Sequence, residues 1–130
     1  MDHGKLQTLF DSYCYGPVDL VDFHYTQDTL KLSLKNYDGQ YSEATYHDCL
    51  YCQLDQGQIG IHLSLVQHIS AQQLLQNKQS IMFLKLQKTT RNVARLLHEW
   101  ETIGLSFYLH LSTNSEFLIA AHDLEYHENY

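Results

Sequence analysis

The chain has 130 residues, enough to bury a hydrophobic core without disulfides or metals, and we expect one domain spanning residues 1–130. Its formal net charge is −7 and its eight Lys and Arg residues are scattered, which argues against nucleic-acid binding. The acidic charge suits a protein partner of basic character, but solubility alone is the simpler interpretation. The chain has no run of 18 apolar residues and no basic-then-apolar leader, so we expect no membrane association and a cytoplasmic location. Its three cysteines are an odd count and are expected to stay reduced in the cytoplasm.

The first predicted elements are a helix and a strand. Lys5–Tyr15 carries apolar residues at helical spacing, which predicts an amphipathic helix. Gly16 and Pro17 end it, because Gly accepts the left-handed conformation and Pro cannot continue a helix. Val18–Tyr25 alternates and predicts a strand. One face of this strand is predicted to carry Val21, Phe23 and Tyr25.

The centre of the chain predicts an antiparallel meander. Thr29–Lys35 alternates leucines with polar residues, the pattern of a strand with one buried face. Asp38-Gly39 then favours a tight turn, and a return strand begins near Tyr41. A third strand is predicted at Gln58–Leu65, where a register slip of one residue would expose four aliphatic side chains. These are Ile59, Ile61, Leu63 and Leu65.

A short helix and a buried strand are predicted next. Ser70 can cap a helix over Ile69–Gln76, and Gln73 closes the capping box. Ser80–Gln87 is almost continuously apolar, which predicts a strand buried on both faces at the centre of the sheet.

The remaining elements are a second amphipathic helix and a closing hairpin. The helix is predicted over Arg91–Ile103, with Thr89 or Thr90 as its cap. Leu105–Ser112 and Glu116–Tyr126 predict the hairpin, and the last four residues are expected to fray. The predicted fold class is therefore α+β, with a mainly antiparallel sheet of about six to seven strands covered by two amphipathic helices and one short helix.

A metal-binding alternative rests on cysteines and histidines. Cys49 and Cys52 form a Cys-x-x-Cys pair, but the sequence has no second pair of ligands at a spacing accepted for a zinc site. On a regular strand, their side chains would point to opposite faces unless a bulge near Asp48 turns them. Nine histidines are many, and strands can bring distant ones together around zinc or another divalent transition metal. Structural cysteines and solvated histidines are the simpler interpretation. The candidate ligands are His47, Cys49, Cys52 and His62.

No catalytic signature is present in the sequence. It contains no nucleophile elbow, phosphate-binding loop, dinucleotide-binding fingerprint or zinc-protease motif, so we assign no catalytic residue and consider an enzyme the less favoured class.

Ten tyrosines favour protein contact as the function. Tyrosine is enriched at interfaces because it supplies area and a polar tip at small entropic cost, whereas tyrosines inside strands are expected to pack. The candidate binding residues therefore lie at the central turn. They are Tyr37, Asp38 and Tyr41.

Three segments, Val21–His24, Asp28–Gly39 and Tyr46–Tyr51, have a strand and turn pattern that resembles small bacterial immunity-type proteins found near polymorphic toxin genes, and related families of unknown function. The resemblance covers about the first half of the chain and implies a protein that blocks a toxin by occupying its surface. It transfers no functional residue. The expected function is a non-enzymatic acidic binding module; the alternatives are a small metal-binding protein or metal-dependent enzyme, and a structural subunit of an assembly.

Overall fold

The computed structural model describes residues 13–76, 78–113 and 115–129, and in these ranges the chain forms eight strands and three α-helices. The strands are β1 (Tyr13–Tyr15), β2 (Val18–Thr26), β3 (Thr29–Lys35), β4 (Tyr41–Cys52), β5 (His62–Leu63), β6 (Leu65–Ile69), β7 (Ser106–Leu111) and β8 (Glu116–Glu128). The helices are α1 (Ala71–Leu75), α2 (Ile81–Gln87) and α3 (Val93–Thr102). None of these helices has the length and apolar content needed to cross a membrane.

The architecture is α+β on an antiparallel sheet, as predicted, but with eight strands instead of six or seven. Their order is β1-β6-β7-β8-β4-β3-β2-β5. The higher number arises because bends interrupt two stretches of strand. Gly16 and Pro17 separate β1 from β2, and Ser64 alone separates β5 from β6.

These bends close the sheet on itself. β1 pairs with β6 and β2 pairs with β5, so the β1–β2 stretch lies antiparallel to the β5–β6 stretch along a seam. Two further hydrogen bonds extend this seam: Leu20 N donates to Ile61 O at 2.9 Å, and Gly60 N donates to Leu20 O at 2.7 Å. The closed sheet surrounds an interior that is packed with side chains.

Two apolar cores lie on the two faces of β7 and β8. The first core fills the interior of the closed sheet. The second core lies outside the sheet, where the helices cover Phe107 and Leu109 of β7. Because alternate residues of a strand point to opposite faces, Tyr108 and His110 lie on the interior side. β7 is therefore buried on both faces, the position predicted for Ser80–Gln87.

Several predicted elements are confirmed. β3 buries its three leucines and pairs with β2 and β4 in antiparallel register. Helix α1 begins at Ser70, whose hydroxyl accepts from Gln73 N while the Gln73 side chain accepts from Ser70 N. β7 and β8 form the closing hairpin.

The predicted strand over Ser80–Gln87 is wrong, because this segment is helix α2. Ser80 is its N-cap, and the Ser80 hydroxyl accepts from Phe83 N at 3.1 Å. Ile81 and Leu84 are about half exposed, so the segment is buried on one face only. A short apolar run does not distinguish a buried strand from a helix by periodicity alone. The buried residues are Met82, Phe83 and Leu86.

The predicted strand over Gln58–Leu65 is wrong in its first half. Gln56–Gln58 forms a short 3-10 helix capped by the Asp55 side chain, and Gly60 has a positive φ of 96°. Regular pairing begins only at His62. The local capping box and the glycine override the alternating pattern, and Ile59 is exposed as a result.

Three other boundaries differ from the predictions. The last three residues of the predicted Lys5–Tyr15 helix form β1, and the rest of that helix lies outside the described residues. Helix α3 is capped by Asn92, not by a threonine. β8 continues to Glu128 and Asn129 N donates to Tyr41 O, so residues 127–129, which were expected to fray, bond to β4, and Tyr130 lies outside the described residues.

The alternation predicted for β2 is not regular along the whole strand. The register with β3 shifts between Leu20 and Asp22, which marks a bulge. Val18 and Leu20 point into the core before the bulge, and Val21 is exposed at it.

Candidate functional site

One end of the closed sheet opens into a cleft, which we call the mouth. Its volume is about 420 Å³, within the range of clefts that hold small ligands. Three parts of the chain line it: residues 13–18 of the β1–β2 bend, residues 36–38 of the β3–β4 turn, and Tyr126 and Glu128 of β8.

The β1–β2 bend forms one wall of the mouth because Gly16 brings two backbones together. Gly16 has a φ of +122°, and a Cβ there would lie 3.1 Å from both Ser64 O and Leu65 Cα. The Gly16-Pro17 peptide bond is cis. The Tyr13 hydroxyl donates to Gly16 O at 2.6 Å. The Gly-Pro pair is therefore the corner of the seam and not the helix stop that the sequence suggested.

The β3–β4 turn forms the second wall. Asn36 N donates to Gln40 O at 2.8 Å, and Gln40 N donates to the Asn36 side-chain oxygen at 2.9 Å. This doubly bonded turn holds the backbone at the rim and leaves Tyr37 99% exposed. Asp38 is exposed beside it.

The end of β8 forms the third wall and carries a carboxylate. Glu128 pairs with Ser42 of β4, and Tyr126 pairs with Ala44. Cross-strand partners point to the same face, and Ala44 belongs to the interior core. Ser42, two residues before Ala44, therefore points inward at the same end as Glu128. Ser42 is 3% exposed, and its hydroxyl has no hydrogen-bond partner among the described residues.

Tyr15 is the floor of the mouth. It is almost fully buried, and its ring stacks on Tyr126 with centroids 4.8 Å apart and planes 4° apart. Below it, the Tyr15 hydroxyl lies 2.7 Å from the Tyr46 hydroxyl, which lies 2.6 Å from His110 Nε2. His110 stacks on Phe117. A chain of buried polar groups thus runs from the floor into the core.

The hydrogen bonds of His110 define its neutral tautomer. Nδ1 lies 3.0 Å from Tyr108 O, a carbonyl oxygen that can only accept, so Nδ1 carries the hydrogen and Nε2 accepts from Tyr46. Burial lowers the pKa of His110 to about 3, and hydrogen bonds to the backbone of Tyr108 and Phe117 oppose this shift. His110 is therefore uncharged at neutral pH.

The mouth is acidic and holds no activated nucleophile among its described residues. Its charged lining groups are Asp38 and Glu128, and none of the described lining residues is Lys, Arg or His. Burial raises the pKa of Cys14 to about 11, against a hydrogen bond to the His68 backbone that lowers it. Cys14 therefore stays a thiol at neutral pH, and a thiol is a poor nucleophile.

Two of the three predicted binding residues line the mouth. Tyr37 and Asp38 belong to it, whereas the described lining does not include Tyr41. The Tyr41 ring instead has Lys35 Nζ 5.6 Å from its centroid, a cation–π contact within the hairpin.

The two predicted histidine ligands lie apart, each beside its own carboxylate. His62 Nδ1 is 2.8 Å from Asp19 Oδ1 across the β5–β2 seam. His47 Nε2 is 3.1 Å from Glu125 Oε1 on the β4–β8 pair, at ion-pair distance but without hydrogen-bond geometry. Among the described residues, no group of three or more His, Cys, Asp and Glu side chains is arranged to hold a metal ion.

The two predicted cysteine ligands face the interior core. Asp48 has a positive φ of 51°, and the β4–β8 register shifts after Cys49, so a bulge turns Cys49 and Cys52 to the same side. Burial raises the pKa of Cys49 to about 12 and that of Cys52 to about 11. Both remain thiols at neutral pH, whereas redox exchange uses the thiolate.

A second cleft lies at the opposite end of β3, beside the β2–β3 turn. It encloses about 270 Å³ and is lined by Asp28, Asp48 and His122, together with the apolar side chains of Leu50 and Ile103. It is smaller than the mouth and contains none of the predicted binding residues.

Sequence reasoning missed Glu128 and Tyr15, which line the mouth, and Ser42, the strand partner of Glu128. Glu128 was assigned to a fraying end and Tyr15 to a helix, while Ser42 carries no signal that separates it from a surface serine. Comparisons with models of protein families, with curated proteins and with solved structures find no match to this chain.

Proposed function

We propose that this chain is a non-enzymatic binding module that holds a protein partner of basic character at the mouth. The observation that supports the proposal most directly is the composition of the cleft: aromatic rings form its walls and floor, and two carboxylates are its charged groups in the described lining. Tyrosine rings give contact area at small entropic cost, and the acidic rim complements a basic surface.

The charge of the whole chain supports the same proposal. A net charge of −7 creates a long-range attraction for a basic protein and speeds its encounter with the mouth. An immunity or inhibitor role is the particular form suggested by the resemblance to small bacterial immunity-type proteins. In that role, occupation of the partner's surface would be the whole mechanism, and no reacting group would be needed.

The proposal is tested by affinity capture from the organism that encodes the chain, with two variants that make the same charge change. Asp38→Lys reverses a charge at the mouth, and Asp123→Lys reverses one on exposed β8. We expect one protein to be recovered in near-stoichiometric amount with the wild type and with Asp123→Lys, and to be lost with Asp38→Lys.

Two results would contradict the proposal. One is the recovery of no protein in stoichiometric amount with the wild type. The other is equal recovery with Asp38→Lys and Asp123→Lys, because the partner would then bind away from the mouth.

A further inference from the structure

We infer that the mouth holds a single lysine or arginine side chain of the partner, between the tyrosine rings and beside Glu128 and Asp38. This inference rests on the proposed function and names the group that the site recognises. It comes from three features: the charge of the lining, the faces of its aromatic rings, and a buried hydroxyl without a partner.

The charge of the lining selects a cation. Asp38 and Glu128 approach the cleft from two different walls, the β3–β4 turn and the end of β8. No described lining residue supplies a positive charge to balance them. A cationic group in the cleft would therefore meet a carboxylate on each side.

The rings of the lining suit the same group. Tyr13 and Tyr37 are exposed at the rim, and Tyr126 covers the buried ring of Tyr15. A cation over the face of a tyrosine is attracted by the ring quadrupole, and a planar guanidinium also stacks on it. The same hairpin already uses this interaction, where Lys35 lies over Tyr41.

Ser42 is the third feature, and it is independent of the other two. Buried polar groups are normally paired, but the inward-facing Ser42 hydroxyl has no partner among the described residues. It lies opposite Glu128 in the β4–β8 register, so the two side chains are neighbours on the same face of the sheet, although Ser42 is not part of the described lining of the mouth. An ammonium or guanidinium N–H that reaches Glu128 can also donate to this hydroxyl oxygen.

The test uses small cations, so it does not require the partner to be known. Nα-acetyl-arginine N-methylamide, the lysine analogue and the neutral citrulline analogue are titrated into the full-length, isotope-labelled chain and followed by NMR. We expect both cations to shift backbone amide signals of the mouth, at Gly16, Tyr37, Asp38 and Glu128. We expect citrulline, which is isosteric with arginine but uncharged, to bind at least about tenfold more weakly.

Two glutamates of one strand provide matched variants. Glu128 lines the mouth, whereas Glu125 lies on the other face of β8 beside His47. Glu128→Gln is expected to weaken binding of the arginine probe about tenfold and to leave citrulline binding unchanged. Glu125→Gln is expected to leave both unchanged. Equal binding of arginine and citrulline, or equal effects of the two glutamate variants, would overturn the inference.

Ser42→Ala separates a binding role from a structural one. We expect it to weaken binding of the cationic probes severalfold and to leave the free energy of unfolding unchanged or raised, because an unpaired buried hydroxyl does not stabilise the fold. A destabilised variant with unchanged probe binding would contradict the role of Ser42.

Failure of this inference is distinguishable from failure of the proposed function. If Asp38→Lys abolishes partner capture but neither cation shifts the mouth, the binding function stands and the cation site is overturned. If the cations bind as expected and no partner is recovered, the cation site is supported and the partner-binding function is contradicted.

Discussion

His110 shows how a polar residue can be accommodated inside a closed sheet. It is fully buried, yet both ring nitrogens have partners: Nδ1 donates to Tyr108 O, and Nε2 accepts from Tyr46. This arrangement requires the neutral imidazole, since protonated Nε2 could not accept. At mildly acidic pH, His110 therefore binds a proton in the unfolded chain but not in the folded one.

Protonation of His110 is predicted to make the protein sensitive to acid. Its pKa is about 3 in the fold and about 6.5 in the unfolded chain. Below pH 6.5 the unfolded state binds a proton that the folded state does not, so stability falls as pH decreases from 6.5 toward 3. The expected loss is on the order of 2–3 kcal/mol between about pH 6.5 and pH 4.5, measured by urea unfolding at each pH.

A His110→Gln variant supplies the control for this pH dependence. Glutamine does not titrate, and its amide can both donate and accept. The variant should lose that part of the pH dependence, whereas His62→Gln, at an exposed seam position, should retain it. If the free energy of unfolding fell equally with decreasing pH in the wild type and in His110→Gln, the acid sensitivity would arise from other groups.

The two tyrosine hydroxyls above His110 are predicted to substitute for one another. In Tyr46→Phe, the Tyr15 hydroxyl can donate to His110 Nε2, 3.3 Å away, and in Tyr15→Phe the Tyr46 hydroxyl still donates. Each single variant should cost about 1 kcal/mol. The double variant leaves Nε2 without a described donor and should cost clearly more than the sum, by a further ~1–3 kcal/mol in urea unfolding. Additive costs would contradict this exchange of partners.

The site residues differ in how far the sequence could predict them. Tyr37 and Asp38 were predictable because the turn that exposes them is a local feature of Asn36–Gln40. Glu128 and Ser42, which are 86 residues apart in sequence, meet through the pairing of β4 with β8, and no local pattern specifies that register. His110 was recognised only as one histidine of nine, because its burial depends on closure of the sheet, which brings Tyr15, Tyr46 and Phe117 around it.

At the scale of elements, the closure of the sheet depends on Gly16. Its φ of +122° disfavours any side chain, and a Cβ would lie 3.1 Å from both Ser64 O and Leu65 Cα, closer than an ordinary contact. These neighbours are backbone atoms, which cannot rotate away. The close approach joins the β1–β2 stretch to the β5–β6 stretch at the seam.

Gly16→Ala is predicted to destabilise the protein more than Gly60→Ala. Both glycines have positive φ, but a Cβ at Gly60 would meet nothing within 4 Å. Gly60→Ala should therefore cost only the backbone strain, about 1–2 kcal/mol, and Gly16→Ala should cost that strain plus the clash. Urea midpoints of the two variants measure the difference. Equal costs would show that the seam tolerates a wider spacing at Gly16.

Helix α2 is predicted to depend on its N-cap. The Ser80 hydroxyl accepts from Phe83 N, so Ser80→Ala should lower the free energy of unfolding by about 1 kcal/mol. Ser80→Asn retains a capping oxygen and should stay close to wild type. An unchanged Ser80→Ala variant would show that packing of the apolar face of α2 alone holds the helix in place.

Two elements that the sequence predicted have a local cause. The Ser70 capping box and the β3 alternation are specified within a few residues, and both are confirmed. The segment Ser80–Gln87 satisfied the pattern of a buried strand as well as that of a helix, and its capping serine decided for the helix. The corner at Gly16 could not be foreseen, because it is set by contact with Ser64 and Leu65.

At the scale of the whole molecule, charge and shape act at different distances. The net charge of −7 acts over the Debye length, about 30 Å at 0.01 M salt but about 8 Å at 0.15 M. The carboxylates and rings of the mouth act only on contact. Long-range charge is therefore expected to govern the association rate, and contacts in the mouth the dissociation rate.

The different ranges of the net charge and of the contacts in the mouth give a kinetic prediction. It applies to an otherwise neutral peptide that contains arginine and to any captured partner. Raising the salt concentration should slow association severalfold and change dissociation little, because screening reduces only the long-range term. Glu128→Gln should do the reverse and mainly speed dissociation. Lowering the pH toward the sequence isoelectric point of about 5.6 should also slow association, because the net negative charge approaches zero there. If association rates measured by stopped flow do not respond to salt or pH, the acidic exterior plays no part in recognition. Shape alone would then bring the partner to the mouth.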